Sequence, residues 1–356
     1  MFDLHAIFRA AGALEASDVH LRSGQTPRVR VDGEVTVLEG MPAPSEADLA
    51  RTVEKLLTDV QRQRLAGDGE VDCACVDERG TRYRANFFRD AAGLSAAMRR
   101  IDARIRTLAE LGLPREVEQL AHVRRGLVLV TGATGSGKSS TLAALIDVIN
   151  HQHACHVITL EDPVEFVHKS QVSVIQQRAV GDDVPDFATG VRDALRADCN
   201  VLQVGELRDV ETMRAALTAA ETGMLVYATL HTNDAAQSVD RIVDVFPVAE
   251  QAQVRAMLAE SLTGVLSQVL LKKKKGGGRI PATELMVATP AIAAIVRDGR
   301  SHEIANAIQG GKSRGMHRLD DSLERLLRDD LIWREDALAC AHQRARFERR
   351  PASVPA

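Results

Sequence analysis

Aromatic side chains are scarce: one Trp, two Tyr and eight Phe make up 3% of 356 residues. A groove that stacks single-stranded bases needs such rings interleaved with basic residues, so a nucleic-acid partner is not expected. An excess of one charge is missing too. Lys and Arg number 45 against 49 Asp and Glu, a formal net charge of -4, so no global field draws the chain to nucleic acid or anionic lipid. No apolar stretch approaches the roughly 18 residues that span a bilayer. The N-terminal MFDLHAIFRAAGALEA is amphipathic and carries acids, unlike a secretory signal, and a cytoplasmic protein is expected. Cysteine is sparse and odd in number: Cys73, Cys75, Cys155, Cys199 and Cys340 are scattered without a C-x-x-C pair, which argues against a disulfide framework or a four-cysteine zinc site. His151, His153, Cys155 and His156 do cluster, but where a helix must turn into a strand and without a second ligand group, so a metal site is not expected there.

What is present is concentrated in GLVLVTGATGSGKSSTL, residues 126–142. Leu127 to Val130 form a continuous apolar run, as in a strand covered on both faces. Gly132, Ala133, Thr134, Gly135, Ser136, Gly137, Lys138 and Ser139, with Ser140 behind them, fit G-x-x-x-x-G-K-[ST]. The glycines let backbone N–H groups converge on phosphate oxygens, and a helix opening near Lys138 adds the positive end of its dipole. Lys138 is expected to reach the β- and γ-phosphates of a nucleotide and the Ser139 hydroxyl to hold Mg²⁺. Leu142, Leu145, Ile146 and Ile149 then recur at helical spacing.

A chain of this length suits two domains. Residues 1–100 read as a small α/β or α+β domain. A helix is expected around Phe2, Leu4, Ile7 and Phe8, and another around Leu49, Val53, Leu56 and Leu57. A hairpin is expected from Val29 to Val37 through Asp32-Gly33, with strands over Glu70 to Val76 and Thr81 to Phe88. Residues 101–115 have no sustained period and fit a linker, leaving 116–356 for the nucleotide domain. There, apolar strands at His156 to Leu160, Val201 to Val204 and Leu225 to Leu230 alternate with helix-length segments, which argues a doubly wound, mostly parallel sheet. The spacing from Val254 to Val269 predicts one long helix ending at Lys272 to Lys275, a run expected to be a solvated loop. Residues 290–340 read as helical, and RARFERRPASVPA as a frayed basic tail.

In a parallel sheet, ligands collect at the carboxyl ends of strands. Glu161-Asp162-Pro163-Val164-Glu165 ends one apolar strand and Gly205-Glu206 another. Together with ASDVHLRSGQTPRVRVDGEV near the N-terminus, the order GATGSGKSS, ITLEDPVEF, VGELRD and ETGMLVYATLHTNDA resembles the PilT-like type IV pilus retraction ATPases within the secretion ATPases. These correspond to that family's N-domain signature, Walker A, Asp box, Walker B and His box. The resemblance implies a PAS-like N-terminal domain joined to a RecA-like P-loop ATPase domain, assembled as a homohexamer with ATP as the nucleotide, held at subunit boundaries. It also implies Glu161 as the general base toward water, Glu206 as the Mg²⁺ partner of Ser139, and His231 as a γ-phosphate sensor. Arg84 and Arg99 are implied as arginines donated by a neighbouring subunit, with Arg82 a weaker candidate, and Arg208 as a residue lining the boundary.

The implied partners are an inner-membrane pilus platform protein at the cytoplasmic face and, as a further candidate, a paralogous retraction ATPase. Three departures stand out: Met224 replaces the first histidine of the His box, Gln203 interrupts the Walker B strand, and Ala293-Ala294 replace the polar pair of the retraction signature AIRNLI. Competing readings are a pilus-assembly or type II secretion ATPase, whose long N-terminal extension and four-cysteine motif are not found in this sequence, and a non-retracting or ATP-binding accessory paralogue.

Overall fold

Helix starts in the N-terminal part are written in short polar signals. Asp3 accepts a hydrogen bond from the His5 N–H to begin α1 (Leu4–Ala13), and capping boxes at Ser45/Asp48 and Thr58/Gln61 begin α2 (Glu46–Leu56) and α3 (Asp59–Asp68). Around them lie β1 (Asp18–Arg22), β2 (Gln25–Val31), β3 (Glu34–Val37), β4 (Glu70–Val76), β5 (Arg82–Asp90) and β6 (Gly93–Ile101). The computed structural model describes residues 2–31, 33–101 and 104–348. Among these, the first six strands form one antiparallel sheet, ordered β3-β2-β1-β6-β5-β4. Tyr83, Ala85 and Phe87 of β5 point into the core with Ile7, Phe8 and Leu49, as the alternation predicts. The hairpin pairs Val31 with Glu34; Asp32 of its turn lies outside the described residues. The reading missed β1, β6 and α3. Both strands are short on β-formers, DVHLR and GLSAAMRRI, and are specified by pairing with each other.

The chain divides into two compact units: Met1–Arg104 with Pro163–Val167, and Ile105–Asp162 with His168–Ala356. Within 101–115, Ile101 closes β6, and Leu108 and Leu113 are buried with Val128 and Val130; residues 102 and 103 lie outside the described residues.

The second unit contains β7 (Gly126–Thr131), α4 (Lys138–Gln152), β8 (His156–Glu161), β9 (Val174–Ala179), α5 (Phe187–Ala194), β10 (Val201–Val204) and α6 (Val210–Glu221). It continues with β11 (Leu225–Leu230), α7 (Ala235–Asp244), α8 (Val248–Ser261), β12 (Leu262–Lys272) and β13 (Arg279–Val287). Among the described residues, the α-helices that follow are α9 (Pro290–Arg297), α10 (Ile304–Gly310), α11 (Leu319–Arg328), α12 (Arg334–Cys340) and α13 (Ala345–Glu348). The sheet order is β13-β12-β7-β11-β10-β8-β9, parallel except for the β12–β13 hairpin. Every residue of β7, β10 and β11 is buried, as expected for strands covered on both faces.

Two expectations are corrected here. The long helix stops at Ser261, and Leu262–Lys272 is a strand beside β7. Its apolar residues satisfy helical spacing, but the polar-small pair Thr263-Gly264 breaks the helix, and a Cβ at Gly264 would come 2.7 Å from the Leu120 side chain. Nor is the tail wholly frayed: α13 packs Phe347 against Leu323 and Ile332, while 349–356 lie outside the described residues. The lysine run forms the β12–β13 hairpin tip; Lys275 bonds Asp330 at 2.8 Å, and Lys274 lies 4.8 Å from the Trp333 ring centroid.

Candidate nucleotide site

Four strands stand side by side as β7-β11-β10-β8, all running the same way, so four loops leave one edge of the sheet together. The strand ends are laced: the Gly132 N–H donates to the Leu230 carbonyl at 3.3 Å, the Thr229 hydroxyl to the Gly205 carbonyl at 2.6 Å, and the Gly205 N–H to the Leu160 carbonyl at 2.8 Å. This ordering brings the phosphate loop, His231, Glu206 and Glu161, separated in sequence, to one sheet edge.

The phosphate loop forms as its sequence requires. Gly132 has φ +143°, and a Cβ there would meet the Gln268 carbonyl at 2.3 Å and the Ser136 hydroxyl at 2.6 Å. Gly137, at φ +91°, starts α4 without a side-chain cap, so the helix presents its first N–H groups to the loop. Ala133, Thr134 and Gly135 form the exposed outer arc, with Ser139 exposed and Ser140 half-buried on the first turn. The Lys138 ammonium lies over the loop, donating to the carbonyls of Gly132 at 2.8 Å and Ala133 at 3.1 Å. The Ser136 hydroxyl is buried without a protein partner. An orphaned hydroxyl in this glycine-rich loop fits a phosphate oxygen as its missing partner.

Beneath the loop lies a residue that the sequence reading missed. Buried Gln268 of β12 donates its amide to the Ser136 carbonyl at 2.6 Å and accepts from the Thr141 hydroxyl at 2.9 Å, joining the loop to the first turn of α4. Beside it, the Thr131 hydroxyl donates to Ser267 at 2.8 Å. The signal in the sequence is Ser267-Gln268 interrupting an apolar run, and a helical period over that run hides it.

Glu206 accepts from Arg208 Nε at 2.7 Å and lies 3.2 Å from His231 Nε2. Burial would raise its proton affinity, but the hydrogen bond and charge of Arg208, with the charges of His231 and Lys138, outweigh it and hold the carboxyl below its usual range. One cluster thus joins Lys138, Glu206, Arg208 and His231. Glu161, at the end of β8, accepts at Oε1 from the Thr159 hydroxyl at 2.6 Å and the Gln177 amide at 3.1 Å.

Arg84 and Arg99 belong to the first unit, where β5 and β6 place them opposite each other. Arg99 Nε donates to buried Asp18 at 2.8 Å, and Arg84 lies 3.6 Å from Asp72 and 3.9 Å from Glu165. Arg82 donates to the Val164 carbonyl at 3.0 Å, in the Asp-box segment that belongs to this unit.

The departures from the motif pattern are accommodated in the core. Met224 is buried just before β11, and Gln203 is buried in β10 with its side-chain Oε1 lacking a protein partner. A cavity of about 470 Å³ lies at the opposite ends of the strands, where His122 Nδ1 and His153 Nε2 approach to 3.3 Å near Cys155. Among the described residues no three potential metal ligands converge, there or elsewhere, and no helix is long and apolar enough to cross a membrane.

Comparison with known proteins extends this picture. The family described as Type II/IV secretion system protein matches residues 2–286. The chain is 45% identical over 322 residues to the type IV pilus retraction ATPase PilT of Pseudomonas aeruginosa, covering 90% of this chain and 93% of that protein. It is 43% identical to a twitching motility protein of Neisseria gonorrhoeae, covering 91% and 88% respectively. Among solved structures, the pilus retraction motor PilT with bound ADP superposes with a TM-score of 0.90 at 40% identity, covering 98% of this chain and 99% of that one.

Proposed function

Because the chain belongs to the type II/IV secretion system protein family, we propose that its ATPase activity drives type IV pilus retraction, and with it twitching motility, from a homohexameric ring. The observation that carries the ATPase part is the row of strand ends, which assembles a phosphate cradle and two carboxylates at one edge.

In this reading the loop from Gly132 to Ser140 and the α4 N-terminus bind the β- and γ-phosphates. The Ser139 hydroxyl and the Glu206 carboxylate are hard oxygen donors that would hold Mg²⁺, which when bound neutralises phosphate charge. Glu161 orients a water and takes its proton as the water oxygen bonds the γ-phosphorus and the bond to the β–γ bridging oxygen breaks, leaving ADP and phosphate. His231 and Arg208 move with the γ-phosphate through the Glu206 cluster, and Arg84 and Arg99 supply charge from a neighbouring subunit. The working domain scheme is a PAS-like domain over 1–100, a linker over 101–115 and a RecA-like domain over 116–356. An inner-membrane platform protein would receive the stroke at its cytoplasmic face, with a paralogous retraction ATPase as a further partner.

The test is a deletion strain of the native host. Retraction requires hyperpiliated, non-motile cells; loss of pili would indicate an assembly ATPase instead. Unchanged pili and motility would indicate an accessory role, the reading that Ala293 and Ala294 favour.

A further inference from the structure

Glu161, the base of the proposed mechanism, is held by Thr159 from within the Asp-box segment and by Gln177 from outside every motif. β8 and β9 pair in parallel with Thr159 opposite Gln177 and Glu161 opposite Ala179. Thr159 and Glu161, two apart, share a face of β8, and Gln177 stands on that face of the neighbouring strand. Their side chains meet on one atom, Glu161 Oε1, which accepts from the Thr159 hydroxyl at 2.6 Å and from Gln177 Nε2 at 3.1 Å. The Gln177 amide is not free to turn over, because its oxygen accepts the His168 N–H at 2.8 Å and so directs the NH₂ group toward the carboxylate. Thr159 is fully buried, which locks its hydroxyl, and Gln177 is half-buried on the edge strand.

A glutamate has three side-chain torsions, and a base acts only when its oxygen lies within hydrogen-bond reach of the water. Two donors of fixed origin on one oxygen remove much of that freedom and set the plane of the carboxylate. We propose that Thr159 and Gln177 are positioning residues for hydrolysis, clamping Glu161 in its reactive orientation. The inference rests on Glu161 being the base.

The test uses the full-length assembled protein, with steady-state ATPase kinetics and binding of a fluorescent ATP analogue. Gln177→Leu should lower kcat by on the order of tenfold, since a displacement of about 1 Å can cost a hundredfold, while KM and analogue affinity stay within about twofold. Thr159→Val should act in the same direction, and Thr159→Ser, which keeps the donor, should restore turnover. In a Glu161→Gln background, Gln177→Leu should have no further effect. If Glu161→Gln keeps wild-type turnover, the base assignment falls. If Glu161→Gln is inactive yet Gln177→Leu and Thr159→Val turn over normally, the positioning role alone is overturned. An undiminished Gln177→Leu effect without the Glu161 carboxylate overturns it equally. Should Thr159→Val not fold, Gln177→Leu on the edge strand decides the matter by itself.

Discussion

In the proposed mechanism, Lys138, Gln268 and Glu161 divide binding from chemistry at single side chains, and each can be tested alone. Lys138→Ala removes the ammonium over the loop and should weaken nucleotide binding in an equilibrium titration. Glu161→Gln should retain ATP but lose about two or more orders of magnitude in phosphate release, the usual cost of a missing base. Gln268→Leu belongs with the first: it strips the Ser136 carbonyl and the Thr141 hydroxyl of their buried partner, so the phosphate loop loosens. A rise in KM for ATP of about tenfold is expected, matching the ~1–3 kcal/mol cost of buried groups left unsatisfied; an unchanged KM would rule out Gln268 as the loop's support. Gly132, Lys138 and Ser139 were legible because their chemistry lies in adjacent residues. Gln268 acts on a loop 132 positions away and Gln177 on a carboxylate 16 positions away, and only strand pairing brings either pair together.

Whole elements were legible where one period dominated. The apolar runs of β7, β10 and β11 and the stripe of α4 formed as read, but the segment from Val254 to Val269 obeyed two periods and tertiary pairing chose strand for its second half. The C-terminal α13 shows the same override: in a basic, polar-looking segment Phe347 is buried in one hydrophobic cluster with Leu319, Leu323 and Ile332. Phe347→Ala should cost about 3 kcal/mol, measured as a lower urea midpoint, whereas the frayed tail first expected would show no change. Helix α9 poses the functional question. Ala293 packs partly against the core and Ala294 is half-buried, so an arginine at 293 can lay its stem on apolar surface and keep its head in water. Ala293→Arg with Ala294→Asn should leave the ATPase rate within about threefold, a barrier change under ~0.7 kcal/mol, while altering pilus-dependent motility in the native host. A large rate change with motility untouched would place this helix in catalysis instead.

At the scale of the whole molecule, the arginines and the phosphate loop belong to different units. The cluster of Lys138, Glu206, Arg208 and His231 lies within the second unit, whereas Arg84 and Arg99 are residues of the first, held there by Asp72, Glu165 and Asp18. Buried Asp18 engages Arg99 through Nε, which orients the guanidinium on β6. If the two arginines serve nucleotide held by another chain, activity belongs to the oligomer and defects in the two units should complement. Lys138→Ala subunits keep the arginines, and Arg99→Ala subunits keep an intact phosphate loop. In an equimolar, randomly mixed ring closed by heterologous contacts, about a quarter of the sites combine both intact halves. Mixed hexamers, verified by mass, should therefore recover a corresponding fraction of phosphate release, while either variant alone stays near background. Recovery has to come from pairing across a subunit boundary, because neither chain carries a complete set. Verified mixed rings as inactive as their parents would mean that Arg99 acts within its own chain, and the assignment of donated arginines would have to be abandoned.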